Sequence, residues 1–321
     1  MEEKHTTNCI SSINENSITP LKGSELLKEE KGLKIYKYPT YEFYQEEQKI
    51  IKRIILLGPP GVGKTSLINS FVNYLMDIKY NDNFRYKLID EQLSQTNEII
   101  SYNIRTPDGK LYQLIDTLGY RDSIVENHDK PASMKIKEYI LNKLNEINDI
   151  WLVVKSSDNI LTDRQKDIFN DIFNLFGKEI KDTFITMLTF YEGGKPAVHA
   201  SLQDESFIFH KIVKTKKDSY FKFNNSSIFE KDINNFLNFT SWNISIGSFK
   251  RFTEKLDTLP SIKLDQTKTV INELDKLGRN FEIAIEQLKY ISVTMLSING
   301  CLKMISDLKE EMNQSKNFKQ K

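Results

Sequence analysis

Four apolar residues, Ile54-Ile55-Leu56-Leu57, run straight into Gly58-Pro59-Pro60-Gly61-Val62-Gly63-Lys64-Thr65, and a helical apolar period follows at Leu67, Ile68, Phe71, Val72 and Leu75. That order reads as a buried strand, a tight loop and an amphipathic helix, and the loop fits the phosphate-binding spacing G-x-x-x-x-G-K-[ST]. The spacing has a chemical reason. Gly58 and Gly63 admit backbone angles that a Cβ resists, so consecutive N–H groups can turn inward around an anion, with the N-terminus of the next helix behind them. The cradle is assigned to Gly58, Pro59, Pro60, Gly61, Val62, Gly63, Lys64, Thr65 and Ser66. Lys64 would reach the outer phosphates, and the Thr65 hydroxyl would ligate Mg2+. The competing reading, a Gly-Pro turn that happens to precede a lysine, loses because strand, loop and helix all agree.

Strand and helix signals alternate downstream. Ile99–Ile104 and Leu111–Ile115 read as two strands joined by the turn Thr106-Pro107-Asp108-Gly109-Lys110, a hairpin by its chemistry. Residues 134–147 read as helix, Ile150–Val154 as a buried strand, and Thr162 as the N-cap of a helix ending near Gly177. A strand at Thr183–Thr189, a short helix near Ala197–Leu202, a last short strand at Tyr220–Phe223 and helix over 228–252 complete the series. Such alternation predicts an α/β fold: a three-layer P-loop NTPase arrangement, mostly parallel, with one antiparallel edge from the hairpin. Ligands of such sheets bind at the carboxyl ends of the strands, where the loop lies.

Two regions flank this unit. Residues 1 to about 30 are polar and without a sustained period, which predicts a loosely attached arm. The aromatic cluster Tyr36, Tyr38, Tyr41, Phe43 and Tyr44 reads as the part of that arm packed on the domain edge. At the other end, a 4-3 alternation of apolar residues runs unbroken from Val270 to Ile305, the seam of a coiled coil or long helical hairpin. Gly278 and Gly300 weaken it by about 1 kcal/mol each relative to Ala, so a break is possible at either. The seam leaves open whether this helix associates with another chain or packs back on the domain. The division expected is an arm over 1–48, a nucleotide-binding domain over 49–256 and a helical extension over 257–321.

Charge narrows the partners. Lys and Arg (45) almost balance Asp and Glu (44), so nothing pulls the chain toward nucleic acid or an anionic surface. Cys9 and Cys301 offer no disulfide framework, and no apolar run approaches the length of a membrane span. These features predict a soluble, cytoplasmic protein without a transmembrane segment or lipid anchor. The four histidines, His5, His128, His199 and His210, are scattered and suggest neither a metal site nor a triad.

Two further signals narrow the loop's role. Asp116 ends the second hairpin strand, placed to hold Mg2+ through water, and Gly119 can present its backbone N–H to a γ-phosphate. Thr96, in the long polar segment 81–97, could complete the metal shell, giving two loops that touch the third phosphate and lose it on hydrolysis. Gly58 to Thr65, Thr96 and Asp116-Thr117-Leu118-Gly119 together resemble the first three guanine-nucleotide motifs of the translation-factor class of P-loop GTPases. Within that class the likeness is to septins and to avirulence-induced, immunity-associated (GIMAP-like) GTPases, with Leu118 where those have Pro. The resemblance implies GTP and GDP binding, Mg2+ dependence, slow hydrolysis involving Lys64, Thr96 and Gly119, and dimerisation through the G domain. It further implies base recognition by Glu192, in Thr189-Phe190-Tyr191-Glu192-Gly193, and by Asn225, in Asn224-Asn225-Ser226. Phe190 or Tyr191 either stacks on the base or belongs to the core.

No Gln follows Gly119 closely; Tyr120 and Arg121 stand there, and Arg121 is either a charge-stabilising finger or a solvated or structural side chain. Low intrinsic turnover is therefore expected. The leading expectation is a Mg2+-dependent GTP-binding switch or assembly protein with slow GTP hydrolysis, acting as a homodimer or with a protein partner. The alternatives are a scaffold or filament-forming protein with nucleotide as a structural ligand, and an ATP-dependent P-loop enzyme, for which no acceptor-site residues are visible.

Overall fold

Side chains of strand β3 (Lys52–Leu57) alternate between two buried faces, Ile54 and Leu56 on one and Ile55 and Leu57 on the other. A strand apolar on both faces needs cover on both sides, and the computed structural model shows how it is supplied. It describes residues 19–43, 47, 50–89, 99–117, 132–158, 162–180, 183–205, 210, 220–230 and 235–318. Neighbours of β3 are β6 (Leu111–Asp116) and β8 (Asp149–Lys155), both parallel to it. Beyond β8 lie β9 (Phe184–Thr189) and β10 (Tyr220–Lys222), also parallel, and beyond β6 lies β5 (Ile100–Arg105), antiparallel through the predicted hairpin. The six-stranded order is β10-β9-β8-β3-β6-β5.

Helix α1 (Lys64–Leu75) and helix α5 (Phe236–Thr258) cover the Ile54 face. Phe71 of α1 sits at the centre, with the rings of Trp151 and Phe249 each 5.1 Å away and Phe252 at 6.1 Å. Truncating so enclosed a ring to Ala costs about 3–5 kcal/mol. Helices α2 (Ala132–Lys143) and α3 (Asp163–Leu175) cover the other face. Thr162 caps α3 as the sequence suggests, accepting from Gln165 N in a capping box. A four-residue helix, α4 (His199–Leu202), follows β9.

Several elements differ from the sequence expectations, each for a local reason. Residues 25–30, expected in the loose arm, form strand β1, which pairs with β2 (Leu33–Lys37). All six residues of β1 are exposed, so backbone pairing holds it and no apolar alternation announces it. Strand β4 (Phe84–Lys87) lies in the long polar segment 81–97, which carries no strong period, and it adds to β2 in parallel. Its Arg85 is fully buried, donating to the carbonyls of Tyr80 and Phe84 with its guanidinium 4.5 Å from the Trp242 ring centre. Helix α2 stops at Lys143, and Glu146–Ile147 becomes strand β7, paired with β11 (Ile262–Lys263). Helix α5 begins at Phe236, later than periodicity suggests, because Asn235 caps it by accepting from Leu237 N and Asn238 N.

Helix α6 (Asp265–Phe318) continues through both Gly278 and Gly300. Glu179 accepts from Thr267 N (2.6 Å) and from the Thr267 hydroxyl (2.7 Å), satisfying the helix start, and Ile271 is buried among α2 and α3 residues. Lys137 pairs with Asp275 at the last point of attachment. The remainder projects away from the domain, so back-packing holds only for the first turns. No helix of the described residues is long and apolar enough to cross a membrane.

Candidate functional site

At the carboxyl end of β3, the loop from Gly58 to Gly63 leads into α1. Gly61 (φ +72°) and Gly63 (φ +86°) occupy the left-handed region that a Cβ disfavours. Gly58 is needed for a different reason: a Cβ there would lie 2.5 Å from the Val153 carbonyl oxygen. Gly63 is the N-cap of α1 and has no side chain to cap it, and the first turn of the helix holds no acidic residue. Its leading N–H groups therefore have no partner within the helix. Lys64 is buried and turns back on the loop, donating to Gly58 O at 2.8 Å and Pro59 O at 3.0 Å. Burial pulls its ammonium down to about 8, with the Asp116 charge opposing the shift. Burial likewise pushes the Asp116 carboxyl up to about 6 against the pull of Lys64.

Asp116 ends β6 opposite Leu56, the residue before the last of β3. Thr117, the next residue, donates its hydroxyl to Leu56 O at 2.5 Å and so holds the two strand ends together. Asp116 Oδ1 is buried and has no hydrogen-bond partner among the described residues. Thr65 and Ser66 are partly exposed on the first turn of α1, while Pro59 and Val62 are buried and Pro60 and Gly61 exposed.

The segment after β9 is built against the loop. The Thr189 hydroxyl donates to Val62 O at 2.6 Å, with Val154 O at 3.2 Å as a second acceptor. Phe190 takes φ +52°, and its ring lies against Gly63, 3.2 Å from where a Cβ would stand. The Lys155 ammonium is 5.4 Å from that ring centre, and Ser156 fixes the turn by donating to Phe190 O at 2.7 Å. Glu192 is exposed two residues on. Tyr191 N donates to Phe223 O, which ties this segment to the end of β10. There Asn225 accepts from the Ser245 hydroxyl at 3.2 Å, and Ser245 also bonds both the N–H and the carbonyl of Asn224.

The loop, Asp116, Glu192 and Asn225 thus all lie at the carboxyl ends of the central strands, the edge expected from the sequence. Thr96, Gly119, Leu118, Tyr120 and Arg121 lie outside the described residues. Sequence reasoning passed over Thr117 and Thr189, whose hydroxyls join neighbouring elements to the loop. A β-branched hydroxyl residue at the last position of a parallel strand, Thr189, or just past it, Thr117, was their only signal. It also passed over Asn69 and Asn73, buried on α1. Asn69 accepts from Leu88 N (2.8 Å) and Ile89 N (3.1 Å), and Asn73 accepts from Tyr86 N (2.8 Å) while donating to Tyr86 O (2.7 Å).

This arrangement fits a polyphosphate. The helix start offers N–H groups that Gly63 has no side chain to cap, Gly61 leaves the loop's mouth open, and Lys64 carries a cation that, among the described residues, bonds the loop's own carbonyls. It also fits a hard, oxygen-seeking cation, since Thr65 and the unpartnered Asp116 Oδ1 are the donor types Mg2+ takes beside phosphate oxygens.

No curated protein matches the chain in sequence. Among solved structures, Toc33 from Arabidopsis thaliana in complex with GDP and Mg2+ is 21% identical, with a TM-score of 0.46 over 69% of this chain and 90% of that one. Toc33 in complex with Mg2+ and GMPPNP is also 21% identical, with a TM-score of 0.45 over 68% and 90% of the two chains. Era in complex with MgGDPNP and nucleotides of 16S ribosomal RNA is 15% identical, with a TM-score of 0.37 over 66% of this chain and 58% of that one. Residues 52–238 match the AIG1 family. That span opens on the first residue of β3 and closes in the first turn of α5, so it takes in the whole six-stranded sheet and more than half of the chain, which belongs to the AIG1 family.

Proposed function

We propose that the chain is a Mg2+-dependent GTP-binding protein that hydrolyses GTP slowly and works as a nucleotide-dependent switch or assembly protein. The observation that carries this is the Lys64–Asp116 arrangement at an uncapped helix start. Lys64, held by the loop's own carbonyls, exchanges them for the outer phosphate oxygens when nucleotide enters, and the N–H groups of the loop and of the start of α1 wrap the same phosphates. Thr65, Asp116 and Thr96 would hold the cation. Bound Mg2+ neutralises charge on the β- and γ-phosphates. Gly119 gives its N–H to the γ-phosphate, so the segments around Thr96 and Gly119 are held in the triphosphate state and released afterwards.

On the base side, Glu192 accepts from the guanine ring and amino nitrogens, and Asn225 closes the opposite edge. A site built on such hydrogen bonds discriminates strongly against a base that lacks them. Slow turnover follows from the absence of a Gln close after Gly119 to orient water. The G domain spans 49–256, residues 257–271 seal its α2–α3 face, and the protein acts in the cytoplasm as a homo-oligomer.

A second reading, nucleotide as the structural ligand of a scaffold, draws on the projecting α6. Single-turnover hydrolysis of γ-labelled GTP by the full chain tests the first. Slow but measurable phosphate release, lost in Lys64→Ala, is the expected result. Stable GTP binding with no release at all favours the scaffold.

A further inference from the structure

From residue 276 to 312 every described residue of α6 is exposed, yet the 4-3 seam persists through Ile305. With Leu274 at heptad position a, that position carries Leu274, Phe281, Leu288, Met295 and Leu302. Position d then carries Leu277, Ala284, Ile291, Ile298 and Ile305. Leu at a with Ile at d is the core composition that shifts parallel coiled coils away from two strands toward three or four.

Charge placement supports the higher number. Two-stranded coils commonly place Glu and Lys at e and g, where they pair between helices. Here all charged residues from 275 to 307, among them Arg279, Glu282, Glu286 and Lys289, fall at b, c or f. The e and g flanks over the same stretch are neutral, for example Ile285, Ser292, Asn280, Gln287 and Thr294. A neutral flank suits an assembly in which e and g are themselves covered by a neighbouring helix. It also raises no repulsion against an identical chain. The bulky Phe281 layer is followed by the small Ala284 layer, so ring volume from one has room in the next.

We propose that α6 from four copies of this chain forms a parallel four-stranded coiled coil over residues 274–305, with the four domains at one end. At roughly 100 Å2 per buried apolar side chain, the seam of one helix covers on the order of 1,000 Å2, above the roughly 800 Å2 that one partner contributes to a standard stable interface. The assembly does not depend on the nucleotide reading.

The test is light scattering on the full-length chain at micromolar concentration, with and without GTP and Mg2+. Four times the chain mass in both conditions is expected. Ile291→Asp with Ile298→Asp should reduce it to the monomer mass with the domain's thermal transition retained. Exchanging the core, with Leu288→Ile and Leu302→Ile at a and Ile291→Leu, Ile298→Leu and Ile305→Leu at d, should give twice the chain mass instead of four times. A monomeric wild type, whether free or carried down with lipid vesicles, overturns the proposal. So does a wild-type assembly that the double Asp variant leaves intact, or a mass that the core exchange does not move.

Discussion

The Thr189 hydroxyl and the Val62 carbonyl meet at 2.6 Å across 127 positions of sequence. Through this bond, the segment proposed to read the base is fastened to the loop proposed to hold the phosphates. Thr189→Val keeps the shape and removes the donor from two buried carbonyls, which costs about 1–3 kcal/mol. Denaturant unfolding should show that loss, and titration with fluorescent GDP should show weaker binding. Thr189→Ser, which restores the hydroxyl, should recover most of both.

Lys64→Ala should abolish nucleotide binding. The alanine variant keeps the core residues Leu67, Ile68 and Phe71 of α1, so its unfolding midpoint without nucleotide should stay close to that of the wild type. Isothermal titration with GTP and Mg2+ checks the binding. Undiminished affinity in a folded variant refutes the role assigned to Lys64.

Two loop glycines should respond differently to alanine. At Gly58 the new Cβ would stand 2.5 Å from Val153 O, so β3 or β8 must move, and both stability and nucleotide binding should fall. At Gly61 there is nothing within 4 Å, and only the left-handed backbone is strained, at about 1–2 kcal/mol. Paired melts of the two variants, with and without GDP, distinguish steric clash from conformational strain.

The two asparagines of α1 make backbone bonds that β4 would otherwise lack. Asn69→Ala leaves the N–H groups of Leu88 and Ile89 without their acceptor, a cost of about 2–4 kcal/mol for one buried and one partly buried donor. Hydrogen exchange should show faster exchange at residues 86–89 in this variant than in the wild type. Unchanged protection there contradicts the structural role given to Asn69.

The central sheet was readable because its strands are apolar on both faces and bounded by turn chemistry, as in Ile54–Leu57 and the Thr106–Lys110 hairpin. Strands β1 and β4 escaped notice because the first is exposed throughout, with its two apolar residues Leu26 and Leu27 adjacent instead of alternating, and the second carries a buried Arg85, whose charge reads as exposed until its carbonyl partners and Trp242 are in place. The 4-3 period revealed α6 and its seam. It did not reveal that Glu179, nearly ninety positions earlier, would secure its first turn. Within the site, Gly58 to Thr65 and Asp116 stand at strand ends where spacing alone could locate them. The hydroxyls of Thr117 and Thr189 act across strands, and no local pattern encodes a partner that the fold brings from elsewhere.

The most direct test of the nucleotide reading is thermal unfolding of the full chain in Mg2+ with GDP, a non-hydrolysable GTP analogue, ADP or a non-hydrolysable ATP analogue. A ligand at about a hundred times its dissociation constant stabilises the native state by about 2.7 kcal/mol, enough to raise the midpoint visibly. The account predicts such a rise with both guanine nucleotides and little or none with the adenine pair. An equal rise with adenine nucleotides would contradict the roles of Glu192 and Asn225, and no rise with any of the four would contradict the phosphate loop itself.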